Sequence, residues 1–256
     1  VDLQLSRRAV PLLVERESAT STNTDLAALA IEGDLPDYAT VVTLDQTAGR
    51  GRLDRVWVAP RGAALAVSVL VPFPAEAGEW VPLAAGVAMA DAVAGTVAPD
   101  RVRLKWPNDV LLDDRKLCGI LAELTESGVI VGAGVNLATT AEQLPVPTAT
   151  SLAIAGVVVD PATVDALLAR YLRALRDEIE RLRRDGPAAL RARVRALCST
   201  LDREVRVELP DGREALGRAV DIDESGRLIV RTAEGERAFS VGDVTHVRAA
   251  PGPLAE

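Results

Sequence analysis

Lysine is almost missing from this chain. Of 29 basic side chains only Lys105 and Lys116 are lysines, which leaves 27 arginines. Histidine occurs once, at His246, which excludes His-rich metal sites and any Ser-His-Asp triad built on another imidazole. The two cysteines, Cys118 and Cys198, lie far apart and form neither a secreted disulfide framework nor a zinc ligand set. No apolar run reaches the roughly 18 residues of a membrane span. Val1-Asp2-Leu3 opens without the basic stretch and apolar core of a signal peptide, so the expected compartment is cytoplasmic. Basic groups are outnumbered, 29 against 37, for a net charge of −8, and no overall field attracts nucleic acid. A GxxxxGK[ST] phosphate loop and a GxSxG nucleophile elbow are both absent.

What is present is a globular composition. The 256 residues, 48% apolar and 26% charged, suffice for one large domain plus a small one. Residues 12–17 and 39–44 read as strands, and Thr20-Ser21-Thr22-Asn23 between them as a helix start with hydroxyl and amide side chains available as N-cap. Gln46 to Arg55 has no hydrophobic period and reads as a loop. The apolar run 63–71 fits a strand buried on both faces, and Pro82 to Gly95 a buried helix. Residues 101–104 alternate as a strand, while 110–112 and 117–124 flank the turn 113–116 as a hairpin. The strand 129–137 contains Gly132 and Gly134, which mark close approach of a ligand or another backbone.

Asp160-Pro161 then opens a long helix striped by Val164, Leu167, Leu168, Tyr171, Leu172, Leu175, Ile179 and Leu182, and Gly186-Pro187 stops it. A second helix covers 188–197. Beyond Thr200, short strands at 205–209, 215–222, 228–232, 238–241 and 244–248 fit a small closed barrel. The domain boundary is expected at 199–202.

Four segments could carry chemistry. Gln46-Thr47-Ala48-Gly49-Arg50-Gly51-Arg52 alternates glycine, which lets backbone approach a ligand, with guanidinium forks that bind carboxylate or phosphate. Arg55 and Trp57 follow, the indole serving either as a core anchor or as a lid over a planar ring. Lys105-Trp106-Pro107-Asn108-Asp109 puts an ammonium, an amide and a carboxylate on one tight turn, although Pro-Asn-Asp is also ordinary turn chemistry. Lys116 stands at the mouth of the apolar strand Leu117–Leu121, and Gly132-Ala133-Gly134-Val135-Asn136 ends another. In a chain that uses arginine for its generic surface cations, the two lysines are either leftovers on solvated turns or groups kept where a compact ammonium serves and a flat fork does not. Together these groups suit a site that handles a carboxylate and a phosphate. Cys118, flanked by apolar residues, reads as a packed thiol, and His246 as structural.

STN at 21–23, QTAGRGR at 46–52, KWPND at 105–109, RKLCGIL at 115–121 and VGAGVN at 131–136, in this order, resemble the biotin–protein ligase family, and GDV at 242–244 also fits. The resemblance implies an α+β fold. A mixed central sheet flanked by helices, class II synthetase-like, would occupy 1–199, and a small SH3-like β-barrel 200–256. It implies two steps: biotin and ATP, with Mg²⁺ bridging the phosphates, give biotinyl-5′-AMP and pyrophosphate. A lysine of a biotin carboxyl carrier domain then takes the biotinyl group as an amide.

By motif, Ser21, Thr22, Asn23 and Gln46 map to the ureido ring, with the backbone of Arg50 and Gly51. Arg55, Trp57 and Asn136 map to the nucleotide. Arg52 and Lys116 supply cations, with Lys116 reaching carboxyl and phosphate. Lys105, Asn108 and Asp109 orient the phosphates or the incoming amine, and Asp109 either orients or takes the amine's proton. Arg52, Lys116, Lys105 and Asp109 are thus the catalytic candidates. Bifunctional members carry an N-terminal helix-turn-helix. With the STN block starting at residue 21 there is no room for one, so nucleic acid is not an expected partner, and without a long apolar run neither is a membrane. Members often pair through sheet edges, which leaves a homodimer open. The alternatives are a ligase for another acyl acid such as lipoate, and a non-catalytic biotin or adenylate sensor.

Overall fold

A computed structural model describes residues 2–52, 55–73, 77–209, 212–240 and 243–246. The larger of its sheets has seven strands in the order β1 (Leu13–Arg16), β2 (Thr40–Thr43), β5 (Ala64–Val71), β9 (Gly128–Asn136), β8 (Arg115–Thr125), β7 (Asp109–Leu112) and β6 (Val102–Lys105). Only β1 and β2 run parallel to each other; the remaining neighbours are antiparallel. All eight residues of β5 are buried, seven of them apolar, as expected of a strand covered on both faces.

One face of the sheet is covered by α3 (Val81–Ala94), and α3 in turn by α4 (Pro161–Asp185). Helix α3 is apolar almost all round because it lies between two layers. Helix α4 is amphipathic, and its stripe from Val164 to Leu182 is buried. Its ends follow local chemistry. The Asp160 carboxylate accepts from the Thr163 N–H at 2.7 Å, and Gly186 adopts φ +73° just past the last turn. Helices α2 (Thr22–Glu32) and α5 (Ala188–Leu197) pack nearby, and α1 (Gln4–Arg7) is held by Asp165 of α4, which accepts from the Leu5 and Ser6 N–H groups.

The smaller sheet has the order β13 (Gly235–Phe239), β12 (Leu228–Thr232), β11 (Glu214–Ile222), β10 (Glu204–Glu208) and β14 (Asp243–His246), all antiparallel. Two buried indoles fasten it to the larger unit. Trp80 Nε1 donates to the Glu224 carbonyl at 2.9 Å and Trp106 Nε1 to that of Gly226 at 3.0 Å. Its apolar residues Val205, Val207, Ala219 and Val230 continue the main core.

The structure departs from the sequence expectations in places. The segment read as a loop contains a small hairpin, β3 (Gly49–Arg50) against β4 (Val56–Trp57). The turn expected at 113–116 is shorter: Asp113 and Asp114 alone turn, with φ +51° and +58°, as a two-residue hairpin connection demands. Helix α1 lacks any sequence signal, and β13 starts three residues before the strand expected at 238. Leu53, Asp54, Pro210, Asp211, Val241, Gly242 of the GDV block and the expected strand end at Val247-Arg248 lie outside the described residues. Among the described residues no helix is long and apolar enough to cross a membrane.

Candidate active site

Glycine makes the floor. Gly119 of β8 and Gly134 of β9 are direct register partners in the centre of the sheet, and Gly132 lies two residues along. Gly134 lies beneath the indole of Trp57: a Cβ there would stand 2.8 Å from Trp57 Cε2. One at Gly119 would stand 3.3 Å from Lys116 Nζ, and one at Gly132 would overlap the Asn23 amide. The strand glycines are therefore needed so that side chains from other segments can lie flat on the sheet. Above this floor is a cavity of about 1340 Å³.

One end of the cavity is lined mainly by uncharged hydrogen-bonding groups, with the Arg50–Glu123 ion pair at its edge. Ser21 is the N-cap of α2 by position, although its side chain makes no capping bond. Ser21, Thr22 and Asn23 are all buried at the start of that helix. The Thr22 N–H donates to Gln46 Oε1 at 2.9 Å, and the Thr22 hydroxyl lies 3.2 Å from the same oxygen. Asn23 Nδ2 donates to Glu123 Oε2 at 2.6 Å, and Asn23 Oδ1 accepts from Ser68 Oγ at 2.6 Å. Arg50 closes this end by donating to Glu123 at 3.0 Å.

The other end is cationic. Lys116 Nζ lies 2.7 Å from Asp109 Oδ1, a charge contact that lacks hydrogen-bond alignment, so Oδ1 remains a buried acceptor with no aligned donor. Arg52 donates to Asn108 Oδ1 at 3.3 Å. Asn108 is itself fixed, since its Nδ2 donates to the Ile120 carbonyl at 2.7 Å and its own carbonyl accepts from the Ile120 N–H at 2.9 Å. Asn136 is buried and donates to the Thr150 carbonyl at 2.9 Å. Lys105 lies on the wall, where the smaller sheet contributes Arg203, Glu204, Thr245 and His246. Burial, with Lys105 and Arg203 nearby, pushes the His246 imidazole down to about 4.

Every site residue named from the sequence lines this single cavity: Ser21, Thr22, Asn23, Gln46, Arg50, Gly51, Arg52, Arg55, Trp57, Lys105, Asn108, Asp109, Lys116 and Asn136. Two relevant residues were passed over. Ser68 is the lone hydroxyl in a buried apolar strand, and that anomaly was the available signal. Glu123 shares a strand face with Gly119, but its alternation is visible only once the strand is placed. His246, read as structural, does bond Thr200 at 3.3 Å, and it also lines the cavity. Cys118 is fully buried, and desolvation pushes its thiol well up, as a packed thiol requires.

No three His, Cys, Asp or Glu side chains converge on a metal position among the described residues. The acidic lining residues are Asp109, Asp114 and Glu204, with Asp109 already facing Lys116. Such a sparse donor set would suit a hard divalent ion carried mainly by phosphate oxygens and water.

Comparison with known proteins points one way. Residues 15–138 match the biotin/lipoate A/B protein ligase family, and residues 200–247 match the biotin protein ligase C terminal domain. A biotin–[acetyl-CoA-carboxylase] ligase of Mycobacterium tuberculosis is 41% identical over 89% of this chain and 86% of its own length. Another, of Paracoccus denitrificans, is 32% identical over 88% of this chain and 98% of its own. A biotin protein ligase from Aquifex aeolicus, solved in complex with biotin and ATP, superposes with a TM-score of 0.79 at 26% identity, over 93% of this chain and all of that one.

Proposed function

The chain belongs to the biotin/lipoate A/B protein ligase family, and from that premise we propose that it joins biotin to ATP as biotinyl-5′-AMP and passes the biotinyl group to a lysine of a biotin carboxyl carrier domain. The observation that carries this reading is the polarity of one cavity. A neutral, amide-rich end suited to a cyclic urea and a cationic end suited to phosphate share a single glycine floor.

In the first step a biotin carboxylate oxygen attacks the α-phosphorus of ATP, and pyrophosphate leaves. Two anions must meet, and their repulsion grows as water is excluded. Lys116 and Arg52 sit at the cationic end to offset it, the first held by Asp109 and the second by Asn108. A divalent ion, if bound, would supply further charge neutralisation there, with Asp109 the carboxylate at that end to help hold it. In the second step the acceptor amine attacks the acyl carbon and AMP leaves. The 2.7 Å contact between Asp109 and Lys116 favours an orienting role for Asp109 over that of proton acceptor.

Trp57, with Arg55 and Asn136, covers the nucleotide half, and Lys105 faces the phosphates from the wall. Residues 1–199 act as the catalytic unit in this reading, and the smaller sheet completes the wall beside Lys105 with Glu204, Thr245 and His246. The test is biotin-dependent exchange of labelled pyrophosphate into ATP, followed by transfer of labelled biotin to a carrier domain. Exchange with lipoate in place of biotin, or biotin binding with no pyrophosphate release, would overturn it.

A further inference from the structure

The neutral end of the cavity contains a circuit that starts and finishes on the same loop. Gln46 and Arg50 lie on either side of Gly49, yet a chain of hydrogen bonds links them the long way round, from the Thr22 backbone N–H on Gln46 through the side chains of Thr22, Ser68, Asn23 and Glu123. Its proton order follows from chemistry. Asn23 Oδ1 only accepts, so the Ser68 proton goes to it at 2.6 Å. The Thr22 hydroxyl, 2.7 Å from Ser68 Oγ, then serves Ser68, while the Thr22 N–H keeps Gln46 Oε1 occupied at 2.9 Å. The order runs on through the Asn23 amide N–H into Glu123 Oε2, and Arg50 donates to that same oxygen.

Both intermediaries sit where a side chain with no task would be costly. Ser68 is completely buried in the middle of β5, and Glu123 is an anion that receives two donors on one oxygen. The circuit crosses three separate elements, α2, β5 and β8, before it returns to β3. Arg50 is therefore held by residues that also shape the amide-rich end.

We propose that Ser68 and Glu123 are positioning residues that keep Arg50, and with it strand β3, folded down over the cavity, so that an activated acyl-adenylate is retained until an amine arrives. The identity of the retained molecule rests on the function proposed above; the latch itself does not. Neither residue touches the reacting atoms. They act through Arg50 at one end of the circuit and through Thr22 and Asn23 at the other.

The experiment uses Glu123→Gln, which keeps an acceptor for Asn23 and removes the charge that holds Arg50, together with Arg50→Gln and the double variant. The expected result is a rate of biotinyl-5′-AMP release raised about three- to fivefold in each single variant, the scale of a half-exposed ion pair, with no further rise in the double variant. Unchanged release, or effects that multiply in the double variant, would overturn the latch. Cleavage by an arginine-specific protease at Arg50 and Arg52 in ligand-free protein gives a readout independent of the reaction. It should be faster in Glu123→Gln, and equal rates would also count against the proposal. If the unaltered protein makes no adenylate, the assignment of function fails while the protease comparison still judges the latch. Should Glu123→Gln fold poorly, Arg50→Gln against the unaltered chain decides by the release rate and by cleavage at Arg52, the site both proteins keep.

Discussion

Lys116 reaches Asp109 because β8 is bulged. Asp109 is the register partner of Gly119, and strict alternation from Gly119 would put Lys116, three residues back, on the opposite face of the sheet. A register shift between Val110 and Leu111 instead pairs Leu111 with Lys116, which brings the lysine onto the face of Asp109 and Gly119. Its Nζ then stands 2.7 Å from Asp109 Oδ1. A guanidinium would not repeat this contact, because it is a flat fork where the ammonium is a compact point charge. Lys116→Arg should lower biotin-dependent pyrophosphate exchange by at least ~100-fold, the scale of removing one preorganised charge donor. Near-normal exchange would show that any cation suffices there.

Gly134→Ala tests the floor. The added methyl, 2.8 Å from Trp57 Cε2, must displace the indole. The KM for ATP should rise by about tenfold, the scale of one lost ring contact, with the melting temperature little changed. Trp80 and Trp106 are buried away from the cavity mouth, so the fluorescence change on adding biotin and ATP should come from Trp57 and vanish in Trp57→Phe. A signal that survives in that variant would place the indole outside the ligand's reach.

His246 gives the chain a specific acid sensitivity. Its folded value, about 4, lies below the ordinary 6.5 because burial and the charges of Lys105 and Arg203 disfavour the imidazolium, while Asp114 acts weakly the other way. The unfolded chain therefore binds this proton first as pH falls. The contribution of His246 to stability is intact above 6.5, declines as pH drops from 6.5 toward 4, and is flat below. The melting temperature of the natural protein should fall relative to that of His246→Gln across that window. The lone histidine also allows its titration to be followed directly by proton NMR, and a midpoint near 6.5 would contradict the structure.

Both thiols should be silent. Cys118 and Cys198 are buried, and desolvation raises both thiols, so the thiolate that reacts is scarce. An aromatic disulfide reagent should label neither in the native protein and both after denaturation. Rapid native labelling would mean that the core opens locally.

Trp106→Phe should loosen the smaller sheet. It preserves most of the apolar contact but leaves the Gly226 carbonyl, now 3.0 Å from the indole N–H, without that donor. A loss of about 1–3 kcal/mol is expected in denaturant unfolding. An unchanged midpoint would mean that water replaces the bond.

The sequence by itself determined the local grammar of this protein. Apolar runs marked β5 and α3, a 3.6-residue stripe with Asp160 before it and Gly186 after it marked α4, and the scarcity of lysine singled out Lys105 and Lys116. Those signals are short-range, set by side-chain hydrophobicity, capping and backbone preference within a few residues. The partners of those residues were another matter. That Trp57 lies on Gly134, that Ser68 passes a proton order between Thr22 and Asn23, and that Glu123 meets Arg50 depends on strand order and register. So does the face on which Lys116 emerges, because one bulge reverses the alternation. Register is decided by how whole strands bury against α3 and each other, a sum over distant contacts that no local window contains.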